Sequence, residues 1–251
     1  TNPPVITLIG DANVTVEAAT SYTDAGATAL NALDGNLTAA IVVTGSVDLN
    51  QTGQNQLKYN VSDAGGNAAV EMVRTVTVQD NTPPVVSLLG SATVELELGQ
   101  AYAEAGATAA DSLDGDVTAS VLVKSGVDLA KPGQYEVAYT AQDLSGNVSA
   151  PAIRTVVIKD STAPTIRLIG ESAVQVEAGT QYVAAGATVT APAVGDITPK
   201  LNVNNPVDPD RLGEYIVTYT ASDSSGNRAD FFTPRPNLAD ATSSQPPRAV
   251  W

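Results

Sequence analysis

The chain has 251 residues, with 12 Lys and Arg against 27 Asp and Glu, a formal net charge of −15, and neither Cys nor His. That balance excludes nucleic-acid binding, which rests on Lys and Arg, and gives no attraction to an anionic membrane surface. Thiol nucleophiles, imidazole bases, structural zinc and disulfides are also excluded, whereas hard cations remain open because carboxylates, amides and carbonyls are plentiful.

The chain opens with "TNPPV", which matches the later segments "DNTPPV" and "DSTAPT". The opening therefore reads as a linker, expected of a mature form or of a piece of a longer array. "VITLIG" follows as an apolar, β-branched strand and "VTVEAA" as an alternating one. "AGAT" (25–28) leads to the acidic turn "LDGNLT" (33–38), and "QLKYNVSD" runs into the loop "SDAGGN" (62–67). "VRTVTV" (73–78) closes the copy. Period-2 patterns bounded by Gly, Pro, Asn and Asp predict strands, and no segment holds a helical period for long.

The whole series then repeats without gaps at a step of 80 residues: Pro4, Pro84 and Pro164; Asp63, Asp143 and Asp223; Asn67, Asn147 and Asn227. A fixed period is the signature of tandem modules. About seven strands per copy, each needing a buried face, predict a two-sheet sandwich. The expected divisions are 1–80, 81–160 and 161–233, with a Pro/Ser/Thr-rich tail over 234–251.

"LDGNLT", "LDGDVT" (113–118), "AGAT" and the Asp-x-x-Gly-Asn loop together resemble the bacterial immunoglobulin-like modules related to hyalin repeats. Such modules occur in tandem in secreted and cell-surface bacterial proteins and in an insecticidal crystal protein. The resemblance runs from residue 1 to about residue 230. It implies an all-β chain of three immunoglobulin-like sandwiches joined by short Pro-containing linkers, located outside the cytoplasm. It implies no particular ligand.

Tracing strand directions through a sandwich brings the two acidic loops of each copy to the end where the preceding linker enters. At the first junction Asp80 and Asn81 are expected near Asp114, Asp116, Asp143 and Asn147; at the second, Asp160 near Asp196, Asp223 and Asn227. Calcium takes six to eight such oxygens, so these residues are candidate ligands. The same loops are also explained as turns, because Asp bonds its own backbone two residues on and Gly and Asn accept positive φ. The third copy reads "AVGD" (193–196), with Val194 in place of the first Asp, which favours the first junction. Arg74 and Arg154 recur just before the last strand and read as a solvated or cross-strand charge pair. The tyrosines of "YEVAYTA" (135–141) read as core.

In the third copy "TPRPNL" (233–238) stands where the others carry their last strand. Proline donates nothing to a ladder, so an irregular final strand with an unfilled groove is expected. Phe231, Phe232 and Trp251 are candidate anchors by which the tail folds back or docks on another copy of the chain. Acidic residues that recur copy by copy behave as scaffolding, so no enzymatic activity is expected. The leading reading is a stalk, spacer or building block of a bacterial surface structure. Alternatives are a filament subunit joined through its C-terminal segment and an adhesive or glycan-binding accessory module. Expected partners are other modules or copies of the same chain, or a surface protein or glycan.

Overall fold

The computed structural model describes residues 2–192, 194–233 and 237–239. Contacts divide the chain into two compact units, one built from Thr1–Ala92, Ala105–Lys124 and Val137–Arg154, the other from the remainder. The first junction lies wholly in the first unit and the second junction wholly in the second.

Copy 1 shows the pattern in full. Its strands are β1 (Val5–Leu8), β2 (Asn13–Glu17), β3 (Ala27–Asn31), β4 (Gly35–Asn36), β5 (Val42–Thr44), β6 (Gly53–Asn60) and β7 (Met72–Gln79). One sheet runs β1-β3-β4 and the other β2-β7-β6-β5. β2 pairs with β7 in parallel, and β6 with β7 antiparallel. Alternation fills the space between the sheets: Ile6, Ala27, Ala29, Leu57, Tyr59 and Val61 form one buried cluster. Tyr59, Tyr139 and Tyr219 are all buried. In copy 2, Val85–Leu88 pairs with Ala107–Asp111, and Thr93–Glu97 runs parallel to residues 155–159, as in copy 1.

Arg74 and Arg154 are not surface charges: each is 1% exposed. The Arg74 guanidinium donates to the carbonyls of Asp11 (3.0 Å), Ile9 and Gly26 (3.3 Å), to the Tyr59 hydroxyl (3.2 Å) and to the Asp24 carboxylate. Tyr59 also donates to Asp24 at 2.7 Å. Burial pulls the Asp24 carboxyl upward, but the Tyr59 hydroxyl and Arg74 outweigh it and hold it below its ordinary value. One cation thereby satisfies the carbonyls where the chain passes from β1 in one sheet to β2 in the other. Arg154 repeats this on Leu89, Ser91 (2.9 Å), Gly106 (3.4 Å) and Tyr139 (3.2 Å).

Copy 3 deletes the arrangement from both sides. Pro234 stands at the arginine position and Ala184 at the position of Asp24. Ala184 and Phe231 instead pack with Tyr219, Val217 and Ala187 in an apolar cluster. Phe231 is half-buried against that cluster, while Phe232 is 61% exposed. Trp251 lies outside the described residues.

The last strand of copy 3 is split rather than lost. Arg228–Phe232 pairs with Thr218–Ser222, and Asn237–Ala239 then pairs with Gln175–Glu177 in parallel and with Gly213–Glu214 antiparallel. The groove expected to be empty is thus filled by three residues.

The loop end of the strand differs between the copies. In copy 1, four residues lead from Ala68 to Met72 while three lead from Tyr59 to Ser62, so one residue is extra there. In copy 3 the pairing runs uninterrupted from Ser222–Arg228 to Thr218–Phe232, so the loop end carries no extra residue. A hydroxyl takes an N–H of the neighbouring strand in two copies. Ser149 takes the Ala141 N–H in copy 2 (2.9 Å), and Thr233 takes the Val217 N–H in copy 3 (3.2 Å).

Asp24→Ala leaves the buried Arg74 without its counter-charge and should destabilise copy 1 by about 3 kcal/mol. Asp24→Ala with Arg74→Met, which imitates the apolar solution of copy 3, should recover most of that loss. Denaturant unfolding of the two variants checks both statements.

Candidate functional site

The Asp-x-x-Gly-Asn loop is a self-contained turn. Asp63 Oδ1 accepts the Asn67 N–H at 2.8 Å, and the Asn67 amide donates back to Asp63 Oδ2 at 2.8 Å. Asp143 and Asn147 repeat this at 2.7 and 2.9 Å, and Asp223 and Asn227 at 2.9 and 2.9 Å. Gly66, Gly146 and Gly226 sit at φ of 83°, 96° and 89°, where a Cβ is strained. The Asn67 side chain is the first cause holding the Asp63 carboxyl below its ordinary value.

The loop has a second use at each junction. Asn147 Nδ2 also donates to the carbonyl of Asp80 (3.1 Å), and Asn227 Nδ2 to the carbonyl of Asp160 (3.0 Å). The linker is held from the other side by a glutamate that ends the second strand of the preceding copy. Glu17 accepts the Asn81 N–H (2.7 Å), the Asn81 amide (3.1 Å) and the Thr82 hydroxyl (2.8 Å). Glu97 accepts the Ser161 N–H (2.7 Å), the Ser161 hydroxyl (2.9 Å) and the Thr162 hydroxyl (2.9 Å). Both linkers are therefore tied to the copy they leave and to the copy they enter.

The expected ligands divide into three groups. Asp116 and Asp196 cap their own turns, accepting the N–H of Thr118 (2.9 Å) and of Thr198 (2.8 Å). Asp143, Asp223, Asn147 and Asn227 are engaged in the loop, and Asn81 turns to Glu17. Asp80 and Asp114 do come together, and with them Asp111, which the sequence reading did not include. One carboxylate oxygen from each lies within 4.8 Å of the others. At the second junction Ala191 and Val194 occupy the positions of Asp111 and Asp114. There Asp160 Oδ2 instead accepts the Ser225 hydroxyl at 2.7 Å.

Among the described residues, Asp80 Oδ2 and Asp111 Oδ2 are buried side-chain oxygens without a hydrogen-bond partner, and each residue is 8% exposed. The other oxygens are spent on backbone. Asp111 Oδ1 accepts the N–H of Leu113 (2.7 Å) and Asp114 (3.0 Å), and Asp80 Oδ1 that of Thr82 (3.2 Å). Asp114 Oδ2 accepts the Leu144 N–H at 2.8 Å, which joins the two acidic loops of copy 2. This is an oxygen-rich, net-negative set of the kind a hard divalent cation takes.

The glutamate clamps carry a pH dependence. The Asn81 N–H, then the Thr82 hydroxyl, hold the Glu17 carboxyl below its ordinary 4.5, and the Ser161 N–H does the same for Glu97. A lowered folded-state pKa means the clamp is intact above the ordinary value and is lost as the pH falls through the folded-state value. An NMR titration of the Glu17 carboxyl should show a midpoint below 4.5, and Asn81→Ala with Thr82→Ala should move it upward.

The chain matches the family described as bacterial surface protein, Ig-like domain, three times, at residues 6–78, 86–158 and 166–232. It is 32% identical to hyalin of Lytechinus variegatus over 257 residues, 96% of this chain and 48% of that protein. It is 28% identical to pesticidal crystal protein Cry22Aa of Bacillus thuringiensis (80% of this chain, 28% of that protein). It is 27% identical to the outer cell wall protein of Brevibacillus brevis strain 47 (85% and 19%). The chain thus spans about half, or less, of the length of these relatives. Among solved structures, it is similar to domains 4–9 of the surface layer protein SbsC at 13% identity and a TM-score of 0.27, covering 94% of this chain and 50% of that one. The chain belongs to the bacterial surface protein Ig-like family, as a tandem of three such domains.

Proposed function

We propose that the chain is a non-enzymatic structural segment of a bacterial cell-surface protein, a spacer in which successive Ig-like domains carry another part of the parent molecule away from the surface. The observation that supports this reading best is the pinning of each linker. Glu17 and Glu97 hold it from one side, and Asn147 and Asn227 from the other. A joint tied on both sides suits a segment that must hold its neighbours in register.

Other features agree with a scaffold. Acidic residues recur at an 80-residue step and are spent largely on turns, and the chain has neither His nor Cys. Hyalin and an outer cell wall protein are among its relatives, and the second is a surface component by name. The partners in this reading are further domains of the same parent protein and neighbouring surface components. A divalent cation at a junction belongs to the same reading.

The gap-free period supplies a direct test. In-frame removal of residues 81–160 joins Asp80 to Ser161 and keeps a complete linker. The shortened parent protein should fold, reach the cell surface as before and lose only reach, measured as antibody access to a distal epitope. Loss of a ligand-binding or catalytic activity with that one domain would contradict the spacer reading.

A further inference from the structure

The two junctions are built from the same backbone plan but with different chemistry. At the first, three carboxylates, Asp80, Asp111 and Asp114, place one oxygen each within 4.8 Å of the others. Like charges so placed repel, and burial raises the cost of each. Asp80 Oδ2 and Asp111 Oδ2 are buried with no hydrogen-bond donor to offset it. Native proteins rarely leave such atoms unsatisfied, and an absent ion is among the recognised reasons.

The other two copies show how the position of Asp111 is filled without charge. In copy 1 the position of Asp111 is Asn31, whose Nδ2 donates to the linker carbonyl of Asn2 at 2.9 Å. In copy 3 the positions of Asp111 and Asp114 are Ala191 and Val194, and Asp160 takes the Ser225 hydroxyl at 2.7 Å. Asn can donate to the linker and Asp cannot. The aspartate of copy 2 therefore calls for a positive partner where copy 1 supplies its own amide.

We propose that one calcium-class divalent cation binds this chain at the first junction, held by Asp80 Oδ2, Asp111 Oδ2 and one oxygen of Asp114, and that the second junction binds none. Water and nearby carbonyls complete the six to eight oxygens that calcium takes. Calcium accepts a flexible set of protein oxygens, whereas magnesium demands near-ideal octahedral geometry and keeps most of its waters. Three loop carboxylates with nearby carbonyls suit the more tolerant ion. A cleft of about 360 Å³ lined by Asp80, Asn81, Ser145, Gln79, Val78 and Thr52 opens beside Asp80. This site supplies the cation of the spacer reading and rests on that reading for its use, not for its chemistry. Failure of surface display leaves the binding result standing, and failure of binding leaves an ion-free spacer.

The test is calorimetric titration of calcium chloride into the full chain after chelator treatment and dialysis. The expected result is one ion per chain. Asp111→Asn, which copies the solution of copy 1, should weaken binding at least tenfold, and Asp196→Asn at the second junction should leave it unchanged. Two ions per chain, no binding at millimolar calcium, or wild-type affinity in Asp111→Asn each overturns the site, and equal affinity for magnesium overturns the choice of ion. Thermal unfolding separates lost binding from lost folding. In chelator Asp111→Asn should melt no lower than wild type, and only the wild type should gain stability on adding calcium. A lower melting point for the variant in chelator would show that the fold needs the carboxylate itself, and would overturn the inference.

Discussion

A linker between two small sandwiches has backbone groups that neither sheet satisfies, and they must be paired where they are buried. Here both neighbours meet that requirement. A glutamate at the end of the second strand receives the linker's N–H and side-chain donors, and an asparagine in the next copy's loop donates to the linker's carbonyl. The strand pairing makes this possible. The second strand lies parallel to the last, so Glu17 sits opposite Gln79, at the point where the chain leaves the copy. Glu97 sits likewise opposite Lys159. The acidic loops at the far side are stiffened by their own Asp–Asn exchange before they reach the linker. Turn chemistry and junction chemistry are thus one arrangement with two functions.

The third copy shows how far the plan can be changed. A buried arginine is tolerable only with its carbonyls and counter-charge in place, and removing one member alone leaves an uncompensated charge. The chain removes both, with Pro234 and Ala184 at those positions, and Ala184 packs in an apolar cluster against Tyr219. At the loop end the pairing of copy 3 runs without the extra residue of copy 1, and Thr233 takes the part played by Ser149 in copy 2. The second strand shortens in step: Gln175–Glu177 replaces the five residues of Asn13–Glu17. These changes are coupled consequences of one substitution pattern.

Repetition made much of this legible. Columns 80 residues apart expose the strands, the turn glycines and the loop asparagines, and chain direction alone places both acidic loops beside the linker. The buried arginines were illegible for a physical reason. Arg74 lies in an alternating strand where a charge reads as solvent-facing, and its partners Asp11, Asp24 and Gly26 are close in space but 48 to 63 residues away. The column itself held a signal, because Arg/Arg/Pro changes together with Asp/Glu/Ala at 24, 104 and 184. Asp111 was missed because it closes a strand and reads as the cap of its own turn, which it also is. Its column reads Asn, Asp and Ala, and that variation marks the one junction with a different charge. Glu17 was passed over although Glu17, Glu97 and Glu177 repeat at the same step, because a glutamate in an alternating strand reads as solvent-facing.

The central claim is that the linkers are structured by their neighbours rather than merely stiffened by proline. Amide hydrogen exchange at Asn81 and Ser161 tests it most directly, since each N–H is held only by a glutamate side chain. The account predicts protection comparable to the adjoining strand at neutral pH, with loss of protection at Asn81 in Glu17→Gln and at Ser161 in Glu97→Gln. Exchange at the rate of an open loop in the unaltered chain would contradict it.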